Sequence, residues 1–273
     1  SRESRDNPKA DWYVWADANP DGTPPNNWLS IFGGPAWKWE PRRRQYYLHN
    51  FLSSQPDLNF HNPDVQQATL DYVRFWLDRG VDGFRIDVAH ALVKDLKNGH
   101  LPERSSYDVA VMKDDGTDDL FDRDEVHEIY ASWRKIYNEY DPPRVAVAEA
   151  WVHANRRARY ASTEGLGQSF AFDLLGTPWS KKRFHSTIDY QLKAAAETGS
   201  STTWVFSNHD VIRHATRFAY EPGMLPPQGD GIGPDFPQPD EAKGLRRARA
   251  ASAFMLGLPG GAYIYQGEEL GLP

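Results

Sequence analysis

A chain of 273 residues with 40% hydrophobic side chains is long enough for one large α/β domain with a sizeable core, and too apolar to be disordered. A net charge of −7 excludes nucleic acid as the main partner, because phosphate binding needs a basic face. The lack of cysteine rules out disulfide and thiolate chemistry and fits a cytoplasmic location, and neither a membrane-length apolar run nor an opening signal peptide is evident.

Residues 1–60 read as irregular, with many Pro, Gly and Asn and tryptophans at 12, 15, 28, 37 and 39. Pro24–Pro25–Asn26–Asn27 and Gly33–Gly34–Pro35 are turn signals. A stretch this long without periodicity is expected to be functional or a small subdomain. The short cluster Arg42–Arg43–Arg44 reads as solvated surface or ion pairs rather than a binding patch.

Asn62–Pro63 predicts a helix start, with Asn62 as cap and Pro63 at the first helical position. Val65, Ala68, Tyr72, Val73, Trp76 and Leu77 form its apolar face, and Gly80 ends it. Then comes Gly83–Phe84–Arg85–Ile86–Asp87–Val88, read as a short buried strand. Side chains alternate along a strand, so Phe84, Ile86 and Val88 share one face while Arg85 and Asp87 share the other. In parallel α/β folds the carboxyl ends of strands are where sites are built. An Arg beside an Asp there keeps the carboxylate ionised, as a nucleophile requires. A structural Arg–Asp pair is an equal reading of this stretch alone.

Residues 92–119 read as an excursion, with Asp114–Asp115–Gly116 as a turn. A second amphipathic helix is expected from about Leu120 to Tyr140, with Val126, Ile129, Trp133, Ile136, Tyr137 and Tyr140 on one side. Asp141–Pro142–Pro143 stops it. Residues 144–149 form a second buried strand ending in Glu149, and 168–173 a third. Phe184, Ile188 and Leu192 mark a helix, and 203–210 a strand ending in polar groups. A Pro- and Gly-rich loop over 219–240, a helix over 241–258 and a last strand over 261–265 complete the chain. Strands alternating with helices indicate a parallel sheet with crossover helices.

Three strand ends carry acids, Asp87, Glu149 and Asp210, about sixty residues apart. No local motif gathers such positions, whereas a closed parallel barrel does. Three carboxylates at such a mouth suit glycoside cleavage, which needs one carboxylate nucleophile and one carboxylic acid, about 5–5.5 Å apart for retention. A third can favour the cationic transition state. Asp87 beside Arg85 is expected to stay charged, and Glu149, after an apolar strand and before Trp151, to be buried and so to hold its proton. His209 can donate to a hydroxyl. Three acids and a His are also compatible with a metal site, but they lack a compact ligand spacing, so no metal and no cofactor is expected.

At these residues the chain resembles the α-amylase superfamily of glycoside hydrolases, in its α-glucosidase and oligo-1,6-glucosidase branch. Gly83–Phe84–Arg85–Ile86–Asp87 is similar to the nucleophile segment, Ala148–Glu149–Ala150–Trp151 to the acid/base segment, and Phe206–Ser207–Asn208–His209–Asp210 to the stabiliser segment. Pro56–Asp57–Leu58–Asn59 resembles the motif that follows the family's inserted second domain, and Ser4–Arg5–Asp6–Asn7–Pro8 and Asp11–Trp12–Tyr13–Val14–Trp15 its opening. Tyr265–Gln266–Gly267–Glu268–Glu269–Leu270 is similar to the segment after the last barrel strand.

The resemblance implies a (β/α)8 TIM barrel, α/β in class, of which this chain carries about the fourth to eighth strands. It implies residues 1–60 as the inserted subdomain with its return to the barrel, and 61–273 as the C-terminal portion of the barrel. It makes Asp87 the nucleophile, Glu149 the acid/base and Asp210 the transition-state stabiliser, with Arg85, His209 and Arg213 binding the sugar and Asn208 supporting the His209 loop. At Val88 the resemblance implies a lean toward α-1,6 bonds, beside the somewhat favoured reading of a plain outward strand residue. The implied activity is a retaining α-glucosidase on short α-glucosides or oligosaccharides. Alternatives are a transglucosylase or isomerase on the same residues, or a non-catalytic relative of the transporter heavy-chain type. Five strands leave two sheet edges open. The remainder of the barrel is therefore expected as a further segment or a second chain.

Overall fold

The computed structural model describes residues 1–96, 101–104, 112–224 and 231–273. Parts of the expected 92–119 excursion and of the 219–240 loop lie outside these residues. The chain divides into two compact units, Ser1–Arg144 and Val145–Pro273.

The first unit opens with more regular structure than its turn-rich sequence announces. Strands β1 (Trp15–Ala16), β2 (Trp37–Glu40) and β3 (Gln45–Leu48) form an antiparallel sheet in the order β1-β3-β2. Trp37 pairs with Leu48 and Glu40 with Gln45, so Trp37 and Leu48 both face inward and are buried. Stacked Trp28 and Trp37 centre this small core, and the Trp37 indole donates to Asn26 Oδ1 at 2.6 Å. The alternation is hard to read because each strand is only two to four residues long and β3 carries a tyrosine on each face. Of the basic cluster, Arg43 is buried, with its guanidinium over the Trp15 ring and donating to the Ala10 carbonyl.

Helix α1 (Pro63–Leu77) starts where expected, with the Asn62 side chain accepting from Asp64 N at 2.8 Å. Its buried line is Val65, Val73 and Leu77, narrower than the expected face. Tyr72 and Trp76 are exposed, although they share a helix side with Val65, because no described residue within this unit covers them. Strand β4 (Gly83–Ile86) follows and is half-buried rather than fully buried. Helix α2 (Val126–Tyr137) starts six residues later than expected. Asp118 holds the preceding turn by accepting from the backbone N–H of Leu120 and Phe121, and Asp122 is left-handed at φ +47°. Arg74 and Glu139 form a two-point ion pair between the end of α1 and the residues after α2.

The second unit alternates strand and helix. It contains β5 (Val145–Ala148), α3 (Ala154–Tyr160), β6 (Gly167–Ser169), α4 (Phe172–Leu175), α5 (Lys181–Thr198), β7 (Thr203–Val205), α6 (His214–Arg217), α7 (Glu241–Leu256) and β8 (Gly261–Tyr263). The expected strands all occur, each shorter than read. Phe172 and Asp173 belong to the one-turn helix α4, where Asp173 accepts from Arg157 and Gln191. Helix α3 carries no apolar stripe in the sequence and was not anticipated; its buried side chains include Arg156 and Arg157. The pairs β5–β6 and β7–β8 are both parallel, and a parallel bridge joins Phe170 to Thr203.

Helices α5 and α7 are capped by Ser180 and Asp240. Their inward faces meet Trp204, Phe206 and Phe218 in one core. Gly244 lets α7 lie against α6: a Cβ there would sit 2.2 Å from the Ala215 carbonyl oxygen. Among the described residues no helix is long and apolar enough to cross a membrane.

Candidate active site

Each of the three acids follows the carboxyl end of a strand. Asp87 is one residue past β4. Its carboxylate is 73% exposed and receives a hydrogen bond from Arg85 at 2.6 Å, which joins the two residues as the alternation required. Past Asp87 the backbone turns sharply, with Val88 left-handed at φ +44°. A β-branched residue rarely adopts that conformation, so the surroundings must hold it. The Tyr130 hydroxyl donates to the Ala89 carbonyl at 2.5 Å, and Asp122 N donates to the His90 carbonyl at 2.6 Å. Tyr130 is fully enclosed, and burial pushes its phenol well above the ordinary value, so it stays a donor.

The Pro–Asp–Leu–Asn motif supports this same turn. Asp57 pairs with the buried Lys94, whose ammonium also donates to the Ala91 carbonyl at 2.6 Å. Asp57 additionally accepts from Asn50 N at 2.6 Å. The motif therefore ties the end of the first unit's sheet to the segment that leaves Asp87.

Glu149 directly follows β5 and is only 5% exposed. Burial at that point matches the apolar Ala146–Val147–Ala148 run. Trp151 stacks on Phe172 with centroids 4.2 Å apart, which fixes the chain as it leaves Glu149.

Asp210 stands five residues past β7, on a loop whose tip is exposed. His209 Nε2 lies 3.6 Å from Asp210 Oδ1, so these two residues are together. Asn208 supports the tip as expected, since its Oδ1 accepts from Asp210 N at 2.9 Å. Arg213 lies over the Tyr265 ring and donates to the Gln266 carbonyl at 2.7 Å. In this structure its guanidinium therefore serves the loop after β8.

The sequence reading missed the groups beneath this loop. His214 Nδ1 is 2.9 Å from both Glu268 Oε1 and Ser207 Oγ, and the His214 and Glu268 side chains are each 2% exposed. Glu268 Oε2 accepts from Tyr265 N at 2.7 Å. Arg217 donates to the carbonyls of Phe206 and Ile212 at 2.5 and 2.8 Å. Burial presses the Arg217 guanidinium down to about 10 while nearby Glu268 opposes the shift, so it remains a cation near neutrality. A polar His and Arg one helical turn apart gave no signal, because nothing local says that they point inward.

Within either unit, among the described residues, no three His, Cys, Asp or Glu side chains are placed to hold a metal ion.

These strand-end acids on an α/β chain define a class. The chain belongs to the α-amylase catalytic-domain family, whose model matches residues 1–273. Its α/β class is that of the (β/α)8 barrels on which it superimposes. It is 41% identical over 285 residues to a probable α-glucosidase of Rhizobium meliloti (strain 1021), covering 100% of this chain and 48% of that protein. It is 33% identical over 293 residues to an oligo-1,6-glucosidase of Heyndrickxia coagulans, covering 100% and 47%. Among solved structures it matches the α-glucosyl transfer enzyme XgtA with a TM-score of 0.77 and 40% identity, covering 99% of this chain and 48% of XgtA. The chain thus spans about half the length of the curated relatives it matches.

Proposed function

We propose that this chain carries the catalytic acids of a retaining α-glucosidase acting on short α-glucosides. The observation that carries the reading is that Asp87, Glu149 and Asp210 each follow the carboxyl end of a strand in a chain of this family. Residues 1–60 would be the inserted subdomain and its return, and 61–273 the barrel portion. A cysteine-free composition suits action in the cytoplasm.

In this mechanism Asp87 attacks the anomeric carbon of a glucoside. Glu149 gives its proton to the departing glycosidic oxygen. The resulting glucosyl ester on Asp87 is opened by a water from which Glu149 removes a proton. Arg85 is a fixed donor to Asp87. It aims the nucleophile, and this is worth more as bound sugar excludes water. Asp210, with His209, would bind sugar hydroxyls and favour the positive charge that develops on the ring. The test is turnover of maltose, isomaltose and an aryl α-glucoside by the full-length gene product, with Asp87→Asn beside it. A variant that keeps its turnover overturns the assignment.

A second reading, transglucosylation, is favoured by the 40% identity to XgtA, an α-glucosyl transfer enzyme. The glucosyl ester is common to both, and only the acceptor differs. Product analysis at high maltose separates them: glucose alone means hydrolysis, longer oligosaccharides mean transfer.

A further inference from the structure

The loop after β7 is held from beneath by charges that the proposed chemistry does not use. Its tip, His209 and Asp210, is exposed to solvent, while both of its ends are anchored in the interior. The single guanidinium of Arg217 spans those ends, donating to the Phe206 carbonyl on one side of the tip and the Ile212 carbonyl on the other. Ser207, the first residue inside that span, has its hydroxyl accepting from His214 N at 2.9 Å and lying 2.9 Å from His214 Nδ1. The same ring nitrogen meets Glu268 Oε1 at 2.9 Å, and His214 Nε2 reaches Ser252 Oγ on α7 at 3.4 Å. Glu268 in turn receives Tyr265 N, and Arg213 donates to the Gln266 carbonyl, so the loop after β8 is fastened to the loop after β7.

This arrangement is expensive if its only purpose is stability. Buried charges are often no more stabilising than apolar packing of the same volume. Hydrogen-bonded buried ions do, however, hold geometry that apolar side chains leave adjustable. What they fix here is the separation of Phe206 and Ile212, and with it the orientation of everything between. Asp210 has few other constraints: Asn208 sets its backbone, and its side chain has an exposed His209 beside it.

We infer that Arg217, His214 and Glu268 form a buried positioning cluster that sets the aim of the Asp210 and His209 side chains. The inference rests on the glucosidase reading of Asp210. Arg217, His214 and Glu268 touch no substrate in this scheme and act only through the loop. A carboxylate displaced by about 1 Å from a developing charge loses much of its effect on the transition state, and less of its effect on the bound ground state.

The test uses the full-length gene product carrying Arg217→Lys, Glu268→Gln or Ser207→Ala. Correctly folded sites are counted by covalent trapping with a 5-fluoro-α-glucosyl fluoride, and kcat and KM are measured per trapped site. Lysine keeps the charge but has no planar fork to reach two carbonyls. Arg217→Lys and Glu268→Gln are expected to lower kcat per trapped site at least tenfold with KM within about threefold. Ser207→Ala, which removes one hydroxyl and nothing else, is expected to lower it about threefold to tenfold and stands in if the charged variants do not fold. A kcat per trapped site within twofold of the parent, in whichever variants fold, overturns the inference and leaves a purely structural cluster. Asp210→Asn is measured in parallel. If that variant keeps full turnover, the glucosidase reading of Asp210 has failed; if it loses turnover while the cluster variants do not, only the positioning role has failed.

Discussion

The ends of β4 and β7 present a carboxylate in opposite ways. Asp87 is held by its own strand: Arg85, two residues earlier, reaches it directly, and the left-handed Val88 turns the chain away at once. Asp210 is held at a distance, at the tip of an eight-residue excursion from Phe206 to Arg213, with its orientation fixed by groups on α6 and after β8. The difference teaches where each site is vulnerable. Damage to the first must fall within a few residues of the acid or on the side chains that grip the turn. Damage to the second can come from Arg217 on the following helix, or from Glu268 beyond β8, far from it in sequence.

The comparison is broken most severely at the acids themselves. Asp87→Asn is expected to lower turnover by several orders of magnitude with the melting temperature nearly unchanged, because the carboxylate is exposed and its loss leaves no buried partner unpaired. Thermal melts alongside steady-state kinetics check both halves. Next comes Glu149→Gln, expected to cost about 10²–10⁴-fold on maltose and far less on a nitrophenyl α-glucoside, whose leaving group needs no proton. Equal losses on the two substrates would remove Glu149 from the acid role.

Gly244→Ala probes the distant support. The added methyl must displace the Ala215 carbonyl from 2.2 Å, pushing apart the helices that carry Arg217 and Ser252. Overpacking of this kind costs about 1–3 kcal/mol, readable by urea denaturation. Its activity loss should resemble that of the Arg217 variant and should leave trapping at Asp87 intact. A smaller effect belongs to Val88. Val88→Gly removes the left-handed penalty of about 1–2 kcal/mol but loosens the Asp87 turn. Val88→Thr keeps the β-branch and is expected to move the isomaltose-to-maltose ratio toward maltose; an unchanged ratio separates Val88 from linkage preference.

The smallest effect is one of pH, in the first unit. Burial raises the Asp118 carboxyl, but hydrogen bonds from Arg104 and Leu120 N more than offset it, so its pKa lies below the ordinary 3.8. A carboxyl depressed on folding stabilises fully above the unfolded value and loses that contribution as pH falls through 3.8 toward its folded value. Acid unfolding of the parent should therefore steepen below pH 3.8. Asp118→Asn should be less stable at neutral pH and show a shallower acid limb.

Several features were legible in the sequence because they are local. The Asn62–Pro63 start of α1, the helix expected over 241–258, and the apolar runs of β5 and β7 follow from capping and patterning within a few residues. The alternation of Arg85 and Asp87 is the period of a strand. Its prediction, a carboxylate paired with a guanidinium at a strand's end, is what the structure contains. Burial of Glu149 followed from the run before it.

Other features depended on partners that no window of sequence contains. The antiparallel sheet near the start is stabilised by cross-strand pairs between residues that look like loop, and α3 buries arginines that patterning assigns to solvent. The face of α1 narrowed because burial depends on what lies opposite, not on hydrophobicity alone. Sequence by itself thus determined that a strand precedes each of the three acids, since that is a matter of residue identity and short-range patterning. Only the tertiary structure decided how the acids are supported. Glu268 is far along the chain from His214 and Arg217, and the three side chains become a clamp only when folding brings them together and removes the water between them.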